Sequence, residues 1–217
     1  MPDASGSPIT RIKIRIESLS DLVFGLALSI GSIILVGKLP QNGQDLAVNV
    51  LLFGFSFLII VMTWLGYSRT MTILPVEVPF ALFLNIVLLF CVAIEPYLFY
   101  VVQSAQTLGV LDAGSVAYAL DVGPMFLVLS ALCFLLLKEE RVRLSDRRVH
   151  PAVLARFRRF MFAQLIVGAI FVASALPVFW VNTPIGFLRF DLWYSSFTIF
   201  FIIAYARRPK TTSNGHA

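Results

Sequence analysis

The chain has 217 residues, of which 59% are hydrophobic and 13% charged, and a formal net charge of +5; its mean hydropathy is +0.87. So little polar material cannot coat a soluble domain of this size, which excludes a water-soluble globular protein and points to an integral membrane protein. The positive charge does not read as a nucleic-acid footprint, because the basic residues stand in clusters between apolar runs, as membrane topology requires.

A bilayer crossing takes about 20 predominantly apolar residues. Six stretches meet that need, near 18–37, 47–68, 79–102, 116–137, 160–181 and 185–206. The expected fold is an all-α integral membrane protein with six transmembrane helices in one domain, 1–210, followed by a polar tail, 211–217. The first run lacks a small-residue cleavage site and leads straight into the polar GKLPQNGQD, so it reads as a retained span rather than a signal peptide.

Span one is rich in small residues, Gly25, Ala27, Ser29, Gly31 and Ser32, which let helices approach closely. At about 100° per residue, Leu22, Leu26, Ile30 and Ile33 fall on one stripe with Ser29 beside it. Asp21 lies about 140° from Leu26 on the same wheel, and Ser20 about 120° the other way. If the stripe faces a central axis, Ser20 and Asp21 face neighbouring helices and brace span one from behind.

Span two ends in MTWLGYSRT, where Trp64 lies deeper than Tyr67 and Arg69. That ending suits an aromatic-and-arginine anchor at the cytoplasmic surface. Span three carries Asn85 in an apolar run, and an unpaired buried amide costs about 2 kcal/mol or more, so it needs a partner. Trp64, Ser20 and Asp21 are the candidates. Further along, Glu95 is the most embedded carboxylate of the chain, followed by Pro96, which kinks a helix or ends its regular part. Glu95 fits either a cation or proton site or a place in the outer headgroup zone.

Residues 103–115 read as an outer loop, and Asp121 as a carboxylate favoured at the outer N-terminus of span four. The charged stretch 138–159 reads as a partly helical loop interrupted by Pro151. Gln164, alone in span five, suits a helix–helix hydrogen bond. Span six opens with Arg189 and Asp191, which places its outer end among headgroups, with Trp180, Trp193 and Tyr194 as interfacial aromatics.

Orientation follows from lysine and arginine. Lys38 and Arg189 fall on one side of the membrane and the other basic residues on the opposite side, which is then cytoplasmic. With an even number of spans, both termini are cytoplasmic, and the expected location is the cell membrane. Cys91 and Cys133 lie inside apolar runs and read as packed small hydrophobes. His150 and His216 are isolated, and no phosphate-loop, nucleophile-elbow or zinc-protease motif is present. The expectation is a protein without enzymatic chemistry, cofactor or fixed metal.

The opening stretch RIESLSDLVFGLALS resembles the R-x-x-x-F-S-D signature of the transmembrane protein 175 family of potassium channels, with Arg15, Ser20 and Asp21 in register and Leu19 in place of phenylalanine. Trp64 and Arg69 match the end of the relatives' second span, where Tyr67 and Ser68 replace a histidine pair. Asn85 and Glu95-Pro96-Tyr97 match features of the third. The resemblance covers the first three spans by motif and the rest by topology alone. It implies a homotetramer of six-span subunits whose first spans line a pore without a potassium-filter loop. By register, it implies a hydrophobic constriction at Leu26, a cation-facing hydroxyl at Ser29 where relatives have threonine, and an apolar lining at Ile30 and Ile33. Arg15, Ser20, Asp21, Trp64 and Asn85 would form the polar network tying spans one to three together. The implied partners are K⁺, the lipid bilayer and further copies of the chain. Without the resemblance, a secondary transporter and a membrane protein with no transport function remain as alternatives.

Overall fold

The structure, a computed structural model, describes residues 8–37, 40–72, 79–143, 151–183 and 186–205. The polar tail 211–217, the two histidines, Lys38, Arg147, Arg148 and the basic residues after Tyr205 lie outside the described residues. Six α-helices follow in chain order: α1 (Pro8–Val36), α2 (Gly43–Met71), α3 (Pro79–Ser104), α4 (Leu108–Arg143), α5 (Pro151–Ser174) and α6 (Leu188–Tyr205). Between α5 and α6 lie a 3₁₀ turn, Pro177–Phe179, and a minimal antiparallel hairpin of β1 (Asn182–Thr183) and β2 (Gly186–Phe187). The first five helices are long and apolar enough to cross a membrane, so the chain is an all-α, multi-pass membrane protein. The α6 helix has 18 residues and carries Arg189 and Asp191 in its first turn.

Local chemistry explains the helix starts. Three helices begin on a proline (Pro8, Pro79 and Pro151), whose missing N–H is not needed in a first turn. The Asn42 side chain accepts from the Asp45 N–H at 2.8 Å and caps α2. Thr107 caps α4 through the Val110 N–H at 3.3 Å. That cap corrects the expected outer loop: the connection shrinks to residues 105–107, because a threonine cap starts α4 well before its apolar run. The α3 helix runs through Pro96 without ending, and α4 likewise contains Pro124. Surrounding helices can compensate the lost backbone bonds in this setting.

The expected fifth and sixth stretches also shift. The α5 helix stops at Ser174, and the 3₁₀ turn Pro177–Phe179 and the paired strands Asn182–Thr183 and Gly186–Phe187 follow instead of continued helix. Pro177 cannot continue the helix, and Trp180 stacks on Phe187 at 4.0 Å between ring centroids, closing the hairpin instead.

The core lies around α4. Of the spanning windows, 61% of that in α4 is buried, against 17% in α1. The α4 helix packs chiefly on α5 and α3. Its contact with α5 is made at Gly123 and Gly168, where a Cβ on Gly168 would come within 2.9 Å of the Gly123 carbonyl oxygen. Close backbone approach through small residues is how membrane helices gain packing energy when lipid offers no hydrophobic drive. Phe126, Phe171, Trp193 and Tyr118 form a continuous aromatic stack through the middle of the bundle. Trp193 is therefore a core residue rather than an interfacial anchor, and its indole N–H donates to Ser174 Oγ at 2.8 Å. The α1 helix lies at the edge of the bundle, held by α2 and α3 through Phe24, Ala27 and Ser20.

Candidate functional site

The two sides of α1 differ in chemistry. The inner side buries Ser20, Phe24 and Ala27. The outer side presents Leu22, Leu26, Ser29, Ile30 and Ile33 together, with Leu26 at 58% and Ile33 at 69% exposure. Gly25 and Ser32 share that exposed side. The Ser29 hydroxyl donates to the Gly25 carbonyl at 2.8 Å, which satisfies its proton within the helix and leaves oxygen lone pairs free. A face that mixes bulky branched residues with small hydroxyls is less uniformly greasy than the outer faces of α2 and α3, which expose Leu51, Leu58, Phe83, Ile86 and Phe90.

Three polar ties fasten α1 antiparallel to α2. Ser20 Oγ and Tyr67 Oη share a 2.7 Å hydrogen bond in the buried interface. Trp64 Nε1 donates to Asp21 Oδ1 at 2.9 Å on the exposed rim. Lys13 Nζ donates to the carbonyl of Thr72 at 3.1 Å, placing a cation at the C-terminal end of α2 where the helix dipole favours it. Tyr67 thus takes a place in the brace; its ring also packs against Phe24. Arg15 is exposed and takes no part in these ties. Asn85 is buried, and its Oδ1 has no hydrogen-bond partner among the described residues. Trp64, Ser20 and Asp21, the expected partners of Asn85, are committed to one another and to Tyr67, so the brace joins α1 to α2 without Asn85.

Two polar clusters lie away from α1. Glu95 is fully buried, which places it in the bundle interior rather than among headgroups. Its carboxylate accepts from Ser56 Oγ at 2.9 and 3.1 Å and from Tyr118 Oη at 2.9 Å, so α2, α3 and α4 meet on one acid. Asp121 is likewise buried, fourteen residues into α4 rather than at a helix start, because α4 begins at Leu108. Gln164 makes a helix–helix contact, accepting from Cys133 Sγ at 3.7 Å, and Cys133 meets Thr70 Oγ1 at 3.3 Å.

The second cluster surrounds Arg189, which is fully buried rather than in a headgroup layer. Its guanidinium donates to Asp112 Oδ1 at 2.7 Å, to Ser115 Oγ at 2.6 Å and to the carbonyl of Ser174 at 2.7 Å. It also lies 5.0 Å from the centre of the Trp180 ring. One side chain therefore caps the last carbonyls of α5, pairs with the start of α4 and anchors α6. Thr183 Oγ1 donates to Asp191 at 2.8 Å, tying the hairpin to the same helix start. A local signal for this cluster was absent from the sequence, since Asp112, Ser174 and Arg189 are far apart along the chain.

Among the described residues, no group of three or more His, Cys, Asp or Glu side chains could hold a metal ion. No protein-family model, curated protein or solved structure matches the chain.

Proposed function

We propose that four copies of this chain assemble into a potassium-permeable cation channel of the cell membrane, with the exposed face of α1 lining the pore. The observation that carries this reading is the two-sidedness of α1. Its rear is pinned to α2 by Ser20, Asp21 and Lys13, while Leu22, Leu26, Ser29, Ile30 and Ile33 stand together on its free side. The likeness of the first three spans to the transmembrane protein 175 family supports the same arrangement. In it, α6 makes a sixth crossing, both termini are cytoplasmic, and the chain has no enzymatic role.

Around a four-fold axis, Leu26 forms a narrow apolar ring that stops ions by closure or dewetting. Slight rotation or dilation of the α1 helices wets it. Discrimination between K⁺ and Na⁺ arises where the ion is partly dehydrated beside the Ser29 hydroxyls, whose protons are already engaged by Gly25 and whose lone pairs are free. No ring of backbone carbonyls takes part.

The test is a planar-bilayer recording of the purified chain under a potassium/sodium gradient. Single-channel steps with a reversal potential shifted toward K⁺ are expected, and Leu26→Ala raises the leak current. An unchanged current in that variant removes Leu26 from the gate. A second reading, a secondary transporter, draws on the buried Glu95 near the bundle centre. Saturable flux without unitary steps would favour it.

A further inference from the structure

Glu95 and Asp121 are two acids inside one bundle, and among the described residues no basic side chain acts on either carboxyl. The groups that bear on them come from each helix packed around them. Ser56 of α2 donates to both Glu95 oxygens. On α3, the Cys91 thiol is hydrogen-bonded to Asp121. On α4, Tyr118 donates to Glu95 and lies one turn from Asp121. From α6, the Tyr194 phenol acts on Tyr118. Arg189, toward the outer end of α4, is already bound to Asp112 and Ser115. Asp121 is only 6% exposed, yet its Oδ2 has no hydrogen-bond partner among the described residues. An ionised carboxylate left in that state, beside a second acid and without a counter-ion, is very costly in a low-dielectric interior.

Neutralisation by a bound cation removes that cost. Among the described residues no group of three or more His, Cys, Asp or Glu side chains is present to hold a metal ion. A proton needs no cavity, and on either acid it removes the buried charge. A small cleft touches Ser56, the hydrogen-bond donor to Glu95. This narrow cleft between α1, α2 and α3, with room for about one water, is lined by Gly31, Leu35, Phe53, Ser56, Phe99 and Gln103. It reaches from the Leu35 and Gln103 ends of α1 and α3 to Ser56, the residue that donates to Glu95.

We propose that Glu95 and Asp121 form a proton-binding site inside each subunit, off the exposed face of α1 and reached through this cleft. A hydronium ion in the cleft gives its proton to Ser56 Oγ as Ser56 passes its own proton to a Glu95 oxygen. Water is left behind, and release runs the same steps in reverse. The site belongs to the single chain and does not depend on the tetramer, so a failed channel recording leaves it intact.

The experiment is infrared difference spectroscopy of the full chain in lipid bilayers, neutral minus alkaline pH, a range over which ordinary exposed carboxyls stay ionised, in H₂O and in D₂O. A carboxylic-acid carbonyl band that shifts in D₂O is expected. It weakens in Glu95→Gln and in Asp121→Asn and is absent from the double variant. No such band in the wild-type chain, or an intact band in the double variant, overturns the proposal. Two variants keep both acids and test the route. Ser56→Ala removes the relay hydroxyl, and Gly31→Ala narrows the cleft with a methyl that meets only Phe53, at an ordinary 3.6 Å. Each is expected to keep the band and slow its hydrogen–deuterium exchange, by roughly tenfold for the relay, which corresponds to about 1.4 kcal/mol on the transfer barrier. Exchange unchanged in both variants overturns access through the cleft.

Discussion

Arg189 shows how much a single residue can hold together. Its guanidinium is enclosed by the end of α5, the start of α4 and the Trp180 ring, and every contact there is a charge-assisted bond or a cation–π contact. Replacing it with glutamine removes the charge and leaves Asp112, Ser115 and the Ser174 carbonyl without their donor. Asp112 is 43% exposed and can turn to water, which limits the loss, so the expected destabilisation is about 2 kcal/mol. Thermal unfolding of Arg189→Gln in detergent, followed by intrinsic fluorescence, measures it; a midpoint equal to the wild type would mean that the cluster contributes nothing. The sequence presents Arg189 as a surface charge at the mouth of a span, because residue type and hydropathy carry no information about a partner 77 positions away. Trp64 and Tyr67 are the contrasting case. Their spacing from the end of α2 already suggested a surface-facing cluster, and the fold turned it into a pair of bonds to Asp21 and Ser20.

Among the helices, the tightest contact is the crossing of α4 and α5. Gly123 and Gly168 face each other so closely that neither tolerates a Cβ without movement of backbone, since a Cβ on Gly123 would lie 3.2 Å from the Gly168 carbonyl and 2.6 Å from Val172. Gly168→Ala is expected to push the helices apart at a cost of about 1–3 kcal/mol. Gly54→Ala on α2, where nothing lies within 4 Å of the added carbon, serves as the neutral control. Unfolding midpoints of the two variants make the comparison, and equal midpoints would show that the crossing can relax. Helix existence was readable from hydropathy, but helix ends were not. The Thr107 cap extended α4 outward, Pro177 cut the fifth stretch short, and stacking of Trp180 on Phe187 made a hairpin from residues that look helical by composition.

Viewed as a whole, the bundle is built around α4, and of the five candidate spans α1 has the smallest buried share. That asymmetry is what a subunit needs if its first helix is to meet copies of itself around an axis. Leu26→Cys provides the direct measurement. Mild oxidation in native membranes is expected to give disulfide-linked dimers, because neighbouring copies present the same position to one axis. The native thiols do not interfere, since Cys91 and Cys133 are both buried. Leu120→Cys, on an exposed position of α4, is expected to stay monomeric. Monomer alone in both variants would remove α1 from the centre of any assembly.

From its sequence the chain was recognisable as a membrane protein of long apolar helices, with one helix whose leucine–isoleucine stripe stands opposite a serine–aspartate pair. Those properties depend on composition and on the helical repeat, which are local and additive along the chain. Tertiary structure alone decided that Glu95 and Asp121 are both buried inside the bundle, that Arg189 is enclosed and Asn85 Oδ1 has no partner among the described residues, and that Tyr67 joins the brace behind α1. The reason is physical. The cost of a buried charge or amide is set by which side chains from other helices reach it, and that depends on the crossings of α2, α3, α4 and α6 rather than on the residues next to it in the chain.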